Sequence, residues 1–204
     1  MPAGDGWLGP RERAVLAGLR FAKRRDDWRL GRWTAKTAVA AWLDVDLQRV
    51  EILAAADGAP EAFLAGVAVP VSVSLSHRGG RALAVVADAP AVVGCDLEVV
   101  EPRSAAFVRE WLAADDPATY TPLTANLLWT AKEAAAKVRR EGLRLDVRRA
   151  VVEVDERGDG WRALSVAWAE GITTAGWWRD ATGWVMTIAG APPLARPRRL
   201  AAGS

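Results

Sequence analysis

Two carboxylates, those of Asp96 and Glu98, lie two residues apart in the valine-rich stretch AVVGCDLEVV. Successive side chains of a β-strand point to opposite faces, so both carboxylates would share one face. Like charges on a half-buried face repel each other and lose hydration, which destabilises the fold unless a partner compensates them. A hard divalent cation such as Mg²⁺ or Mn²⁺ would compensate them, and a solvated acidic strand face explains the same pattern.

A second group of charged side chains lies in LWTAKEAAAKVRR. On a helix, Trp129, Glu133 and Lys137 are spaced by four and share a face, with Lys132 at its edge. An ordinary Glu–Lys pair on a helix surface explains this spacing. The functional alternative makes Glu133 a third metal ligand or a general base, with the two lysines neutralising a phosphate.

A third group lies in SLSHRGG, where a strand ends at a glycine turn. Ser74, Ser76, His77 and Arg78, together with exposed backbone N–H groups, could hold a phosphate. An ordinary polar hairpin has the same composition.

Composition narrows the class of protein. The 204 residues are 51% hydrophobic and 25% charged, which predicts a folded globular protein. The net charge of +2 is too balanced to favour a nucleic-acid binder. A single cysteine excludes an intramolecular disulfide and fits a reducing cytoplasm. The sequence contains no apolar segment of roughly 18 residues, which is the length that predicts a membrane span.

Several kinds of site are also excluded. There is no glycine-rich dinucleotide fingerprint and no phosphate loop ending in Gly-Lys-Ser/Thr. One histidine and one cysteine are too few for a structural zinc site. His77 directly follows Ser76, so the two side chains would point to opposite strand faces and would not form a catalytic pair. A catalytic metal would therefore be held mainly by oxygen.

Periodicity predicts helices and strands in two successive sets. Helices are expected in RERAVLAGLRF and DDWRLGRWTAKTAVAAWLD, followed by a hairpin of VAVPVSVSLS and RALAVVADA. AVVGCDLEVV is the next strand, SAAFVREWLAA and LTANLLWTAKEAAAKVRREG are the next helices, and Gly142 would end the second. Two further hairpins are expected around ERGDG and RDATG. This order predicts an α+β fold of two lobes, residues 1–90 and 91–204, with a disordered tail over about 192–204.

In order along the chain, these segments resemble the signature of the 4′-phosphopantetheinyl transferases. The resemblance is to the larger, monomeric, surfactin-synthetase-activating type, which serves peptide and polyketide synthetases. Its Ser-x-Ser-His, Gly-x-Asp-x-Glu and Trp-x-x-Lys-Glu-Ala-x-x-x-Lys motifs correspond to Ser74–His77, Gly94–Glu98 and Trp129–Lys137. Upstream, WRLGRWTAK is similar to the first basic helix of that type, and DGAP to its Gly-x-Pro turn.

The resemblance implies two pseudo-twofold-related lobes, each with helices on a small antiparallel sheet, and an active site for coenzyme A between them. It implies that Asp96, Glu98 and Glu133 hold Mg²⁺, with Mn²⁺ as the alternative. Lys132 and Lys137 would neutralise the pyrophosphate of coenzyme A. Ser76 and His77 would face its 3′-phosphate, with Arg32 and then Arg24 from the basic helix.

The implied reaction transfers 4′-phosphopantetheine to a serine of an apo acyl or peptidyl carrier protein and releases adenosine 3′,5′-bisphosphate. Glu133, or a water held by the metal, would remove the serine proton, and Lys137 would stabilise the departing charge. The expected enzyme is a cytoplasmic monomer with no nucleic-acid or membrane partner. The alternatives are a non-catalytic relative that binds coenzyme A or a nucleotide, and another Mg²⁺-dependent phosphotransferase on the same scaffold.

Overall fold

A computed structural model describes residues 1–112, 117–141 and 145–200 of the chain. The chain divides into two compact units, Met1–Val92 and Val93–Pro197, and Arg198 returns to the first. Each unit packs helices on β-sheet, so the predicted α+β class is confirmed. None of the helices in the described ranges is long and apolar enough to cross a membrane.

The first unit begins with two helices and continues as strands. The helices are α1 (Pro10–Gly18) and α2 (Ala22–Leu43), and the strands are β1 (Val50–Ala54), β2 (Pro60–Leu64), β3 (Val67–Ala68), β4 (Val71–Arg78) and β5 (Arg81–Asp88). Strands β1, β2 and β3 form one antiparallel sheet, and β4 pairs with β5 in another. Helix α2 begins four residues before the predicted DDWRLG stretch and packs on β1, β4 and β5.

The predicted hairpin of β4 and β5 is confirmed. Its strands pair from Val71 with Asp88 to Arg78 with Arg81, which leaves Gly79 and Gly80 as a two-residue turn. Both glycines have positive φ, at 52° and 76°, as tight hairpin turns require. Val73 enters the core as its alternation predicts, but Ser74 on the other face is also buried. Both faces of this part of β4 are therefore covered.

A buried ion pair joins the N-terminal segment to α2. The side chains of Glu12 and Lys36 are both fully buried, with Lys36 Nζ 2.8 Å from Glu12 Oε2. The remaining bonds of Glu12 come from the backbone N–H groups of Gly9 and Ile52, each at 2.9 Å. Lys36 Nζ also donates to the Trp7 carbonyl at 2.6 Å. Glu12 thus holds α1, α2 and β1 together, and the ammonium of Lys36 is enclosed within this network.

We expect Glu12→Gln to lower the free energy of unfolding by about 3 kcal/mol, because it leaves the Lys36 ammonium buried without a carboxylate. Urea unfolding measures this change. The matched control is Asp27→Asn, which breaks the solvent-facing pair of Asp27 with Lys23. That pair contributes about 0.5 kcal/mol. Equal losses in the two variants would contradict a stabilising role for the buried network.

The second unit is a five-stranded sheet with helices packed on it. Its elements are β6 (Val92–Val99), α3 (Ala105–Leu112), α4 (Pro122–Arg139), β7 (Val151–Val154), β8 (Arg162–Ala167), β9 (Thr173–Ala181) and β10 (Trp184–Ala191). The strand order is β6-β10-β9-β8-β7. The two predicted hairpins are confirmed as β7–β8 and β9–β10, with Thr182 and Gly183 turning the second.

Helix α4 starts and ends with clear signals. The hydroxyl of Thr121 accepts from the Thr124 N–H at 3.1 Å, and Pro122 occupies the first turn. The helix ends at Arg139, and Arg140 takes the left-handed conformation with φ of 53°. Gly142, predicted to end this helix, lies outside the described residues.

The chain after β10 has neither helix nor strand in residues 192–200. Hydrogen bonds tie it to the second unit: Trp177 Nε1 donates to the Leu194 carbonyl at 3.1 Å, and Arg196 donates to the carbonyls of Trp161 at 2.6 Å and Asp159 at 3.1 Å. Residues 201–204 lie outside the described range. Disorder of the tail stays a prediction.

Candidate active site

Gly94 sets the distance between β6 and α4. A Cβ atom at Gly94 would lie 1.9 Å from the Ala134 carbonyl oxygen and 3.1 Å from Lys137 Cβ. Ala131, Ala134 and Ala135 are fully buried, so small side chains cover this face of α4. The absence of a side chain at Gly94 therefore lets the helix lie directly against the strand that carries the two carboxylates.

Lys137 and Asp96 form an ion pair across this contact. Lys137 Nζ lies 2.9 Å from Asp96 Oδ1 and also donates to the Cys95 carbonyl at 2.7 Å. Burial is the largest single influence and works against the ammonium form, but the interactions with Asp96, Cys95 and Glu133 together outweigh it and raise the pKa of Lys137 above its ordinary value. Lys137 therefore stays protonated beside Asp96 at neutral pH.

The carboxyl group of Glu133 is influenced by the charges of Asp96, Glu98 and Lys137. Burial raises the pKa of its half-buried carboxyl group, the negative charges of Asp96 and Glu98 raise it further, and Lys137 opposes them. The structure thus brings together the three carboxylates that the sequence singled out, with Lys137 among them. A carboxylate with a raised pKa is a stronger proton acceptor than an exposed one.

Glu98 has a cationic partner that the sequence analysis missed. Arg103 NH2 lies 3.0 Å from Glu98 Oε2, and both side chains are largely buried. Arg103 Nε donates to Asn126 Oδ1 at 2.7 Å, and its guanidinium lies 4.9 Å from the centre of the Phe107 ring. The available signal in the sequence was the position of Arg103, five residues after the predicted metal ligand Glu98. Strand periodicity could not place its side chain, because that periodicity does not extend past Pro102.

The donor atoms in this cluster fit a hard divalent cation in kind. Asp96, Glu98 and Glu133 offer only carboxylate oxygens, which Mg²⁺ and Mn²⁺ prefer. Among the described residues, however, no three histidine, cysteine or acidic side chains are placed so that they could hold an ion as they stand. Asp96 and Glu98 are instead turned toward Lys137 and Arg103. Binding an ion would require these side chains to exchange partners.

Lys132 lies apart from this cluster. Its side chain is buried, and Nζ donates to the Trp111 carbonyl at 2.9 Å and to the Arg148 carbonyl at 3.3 Å. Burial lowers the pKa of Lys132 to about 8, although the charge of Asp146 acts in the opposite direction. In this structure Lys132 joins the end of α3 to the turn before β7. Its assignment to the pyrophosphate stays a prediction.

The lowered pKa of Lys132 predicts a specific pH dependence of stability. Between pH 8 and 10.5 the unfolded chain binds more protons at this group than the folded chain, so the free energy of unfolding rises with pH there. We expect Lys132→Met to remove about 2–3 kcal/mol of that rise. Urea unfolding of both proteins at the two ends of the window measures it, and a wild-type-minus-variant difference that is constant with pH would contradict this role.

The predicted residues of the first unit lie around α2 and the end of β4. His77 is exposed on β4, with its Cδ2 atom 3.6 Å from where a Cβ of Gly31 would be, so it lies against α2. Ser76 is half-buried beside it. Arg32 follows Gly31 and lies 5.1 Å from the centre of the Trp28 ring. Arg24 is exposed near the start of α2 and is separated from Arg32 by about 12 Å of helix rise.

Arg32 has an incompletely satisfied guanidinium. Its Nε is buried and has no hydrogen-bond acceptor among the residues that the structure describes. Burial lowers the pKa of Arg32, and the charge of Glu12 partly restores it. An anionic oxygen would satisfy this donor.

The part of the chain that carries the acidic cluster can be compared with a known family. Residues 92–189 match the 4′-phosphopantetheinyl transferase superfamily. The matched stretch begins with β6, includes Asp96, Glu98 and all of α4, and ends within β10. It covers slightly less than half of the chain, and Arg24, Arg32, Ser76 and His77 lie outside it. A search of curated proteins gave no match.

Proposed function

We propose that the chain is a 4′-phosphopantetheinyl transferase that modifies a serine of an apo carrier protein with the phosphopantetheine group of coenzyme A. The observation that carries this proposal is the cluster of Asp96, Glu98, Glu133 and Lys137 within the matched stretch. The assignment of the whole chain to the monomeric, surfactin-synthetase-activating type belongs to the proposal. So do a cytoplasmic location and the absence of a nucleic-acid partner.

In the proposed reaction the serine hydroxyl of the carrier attacks the β-phosphorus of coenzyme A. Glu133 accepts the hydroxyl proton, which its raised pKa favours. The bond from the β-phosphorus to the bridging oxygen breaks, and adenosine 3′,5′-bisphosphate leaves with that oxygen. Lys137 is protonated and lies within the cluster, so it can stabilise the negative charge that develops on the leaving group.

The proposed divalent cation would be held by Asp96, Glu98 and Glu133. When bound, Mg²⁺ or Mn²⁺ supplies positive charge that neutralises a pyrophosphate. Glu133 can serve both as a ligand and as a proton acceptor, because a carboxylate has two oxygens. Asp96 and Glu98 would turn from their present partners toward the ion.

We also propose that residues of the first unit bind the 3′-phosphate of coenzyme A. The buried Nε of Arg32 supports this, since a phosphate oxygen could accept from it. His77 is exposed and Ser76 half-buried at the end of β4, where both could donate hydrogen bonds. Arg24 is a weaker candidate because of its distance along α2 from Arg32.

We expect different effects when each of the two lysines of α4 is replaced. We expect Lys137→Met to lower kcat/KM for coenzyme A by about 10–100-fold, the range for one lost charge-assisted contact. Lys132→Met is the matched control. It should lower stability without changing the KM for coenzyme A, because Lys132 Nζ is engaged by two backbone carbonyls.

Steady-state kinetics on the folded fraction of each variant distinguish these roles. An increase of KM in Lys132→Met equal to that in Lys137→Met would support the pyrophosphate role implied by the resemblance. It would contradict the structural role that we assign to Lys132.

The function itself is tested by mass spectrometry. Each of several apo carrier proteins, of fatty-acid, polyketide and peptide type, is mixed with the full chain, coenzyme A and Mg²⁺. We expect at least one carrier to gain the mass of one phosphopantetheine group, and this gain to disappear when EDTA replaces Mg²⁺. The absence of an adduct on every carrier would overturn the proposed transferase and favour a non-catalytic coenzyme A-binding protein.

A further inference from the structure

Arg103 is held in place by three structural elements. It forms the ion pair with Glu98 of β6, donates through Nε to Asn126 of α4, and lies over Phe107 of α3. Asn126 is itself fully buried and donates to the carbonyls of Glu101 and Pro122, each at 2.7 Å. The guanidinium therefore has a fixed position beside one of the proposed metal ligands.

Arg103 and Lys137 largely neutralise the acidic cluster. The carboxylates of Asp96, Glu98 and Glu133 carry three negative charges when ionised, and two cations are paired with the β6 carboxylates. These two pairs offset part of that negative charge, so the cluster attracts a free divalent cation less strongly than three unpaired carboxylates would. A bound divalent cation would add positive charge and make the cluster more suitable for a pyrophosphate.

We propose that Arg103 is a counter-ion to Glu98 that keeps the affinity of the cluster for a free divalent cation low, so that the cation and the pyrophosphate bind together. This inference rests on the proposed function. Arg103 need not touch coenzyme A; it acts through the charge and position of Glu98. Its role is distinct from that of Lys137, which we assign to the leaving group.

Mn²⁺ binding to the purified full chain tests this inference without any catalytic turnover. Electron paramagnetic resonance gives the Kd for Mn²⁺ alone and in the presence of coenzyme A. We expect Arg103→Gln to bind Mn²⁺ alone about tenfold more tightly than the wild type, because a like charge beside the ion is removed. The enhancement of Mn²⁺ binding by coenzyme A should shrink correspondingly in this variant.

Two further variants separate charge from structure. Arg103→Lys keeps the charge and should bind Mn²⁺ as the wild type does. Arg162→Met is the matched control, since Arg162 has the same exposure as Arg103, pairs with Asp180 and stacks on Trp178. It lies on β8, three strands from β6 in the sheet, so its removal should leave the Mn²⁺ affinity unchanged.

A Kd for Mn²⁺ that is unchanged or weaker in Arg103→Gln would overturn the counter-ion role and indicate that Arg103 only orients Glu98. Thermal unfolding checks each variant, and Arg103→Met provides a second neutral substitution if Arg103→Gln does not fold. The carrier-modification assay is run on the same samples. Carrier modification with an unaltered Mn²⁺ affinity would reject the role of Arg103 alone, whereas no modification together with no Mn²⁺ binding would reject the proposed function as well.

Discussion

Replacing Asp96 by asparagine is expected to lower the rate of carrier modification by about 10³-fold, comparable to the loss of a major electrostatic contributor to a transition state. Asparagine keeps the size of the side chain and an oxygen that can accept from Lys137. The substitution removes the negative charge of Asp96, which would bind a divalent cation and which helps to raise the pKa of Lys137. The fold should therefore persist while the chemistry fails.

Asp180→Asn is the matched control for this change. Asp180 lies on β9 of the same unit and pairs with Arg162, so the substitution also removes a carboxylate from an ion pair. Its rate should remain within about twofold of the wild type, as expected for a surface substitution away from the site. Full turnover by Asp96→Asn, measured as carrier mass against time, would refute the assignment of Asp96 to the cation.

The second large effect is expected at Gly94. Gly94→Ala places a methyl group into the space of the Ala134 carbonyl, and a backbone atom can move only if α4 shifts away from β6. We expect a loss of about 4 kcal/mol in the free energy of unfolding, within the range of the most destabilising substitutions. The same shift would move Glu133 and Lys137 away from Asp96, so the folded fraction should also lose activity.

Gly176→Ala provides the comparison for this variant. A Cβ there would lie 2.3 Å from the Ile188 carbonyl oxygen, so the clash is similar but falls between β9 and β10. We expect it to lower the midpoint of urea unfolding while the activity per folded molecule is retained. If both variants keep full activity per folded molecule, the distance between β6 and α4 does not control the site.

Each half of the acidic cluster was predictable from a local period, whereas the expectation that the two halves meet came from the family resemblance. The spacing of two along β6 placed Asp96 and Glu98 on one face, and the spacing of four along α4 placed Glu133 with Lys137. In the structure Lys137 pairs with Asp96, and the charges of Asp96 and Glu98 act on Glu133. Lys132 directly precedes Glu133, and one residue is about 100° of helix rotation. It consequently points to Trp111 and Arg148 instead of the cluster.

Contacts between segments that are distant in the sequence could not be predicted from these periodicities. Lys36 ends the segment WRLGRWTAK, which the sequence analysis compared with a basic helix, yet it is buried because Glu12 reaches it from α1. Arg103 meets Glu98 only because the chain turns after β6 and Asn126 of α4 holds the guanidinium. Single-element patterns do not contain such pairings. The glycine of Gly-x-Asp-x-Glu was visible in the sequence, but its reason, the Ala134 carbonyl, was not.

The stoichiometry of the reaction distinguishes transfer to a carrier from simple cleavage of coenzyme A. The full chain is incubated with coenzyme A and Mg²⁺, with or without an apo carrier, and adenosine 3′,5′-bisphosphate and carrier mass are followed together. We expect one adenosine 3′,5′-bisphosphate for each phosphopantetheine added, none without the carrier, and neither product with a carrier whose target serine is replaced by alanine. Release of adenosine 3′,5′-bisphosphate without any carrier modification would contradict the proposed transferase and identify a phosphodiesterase.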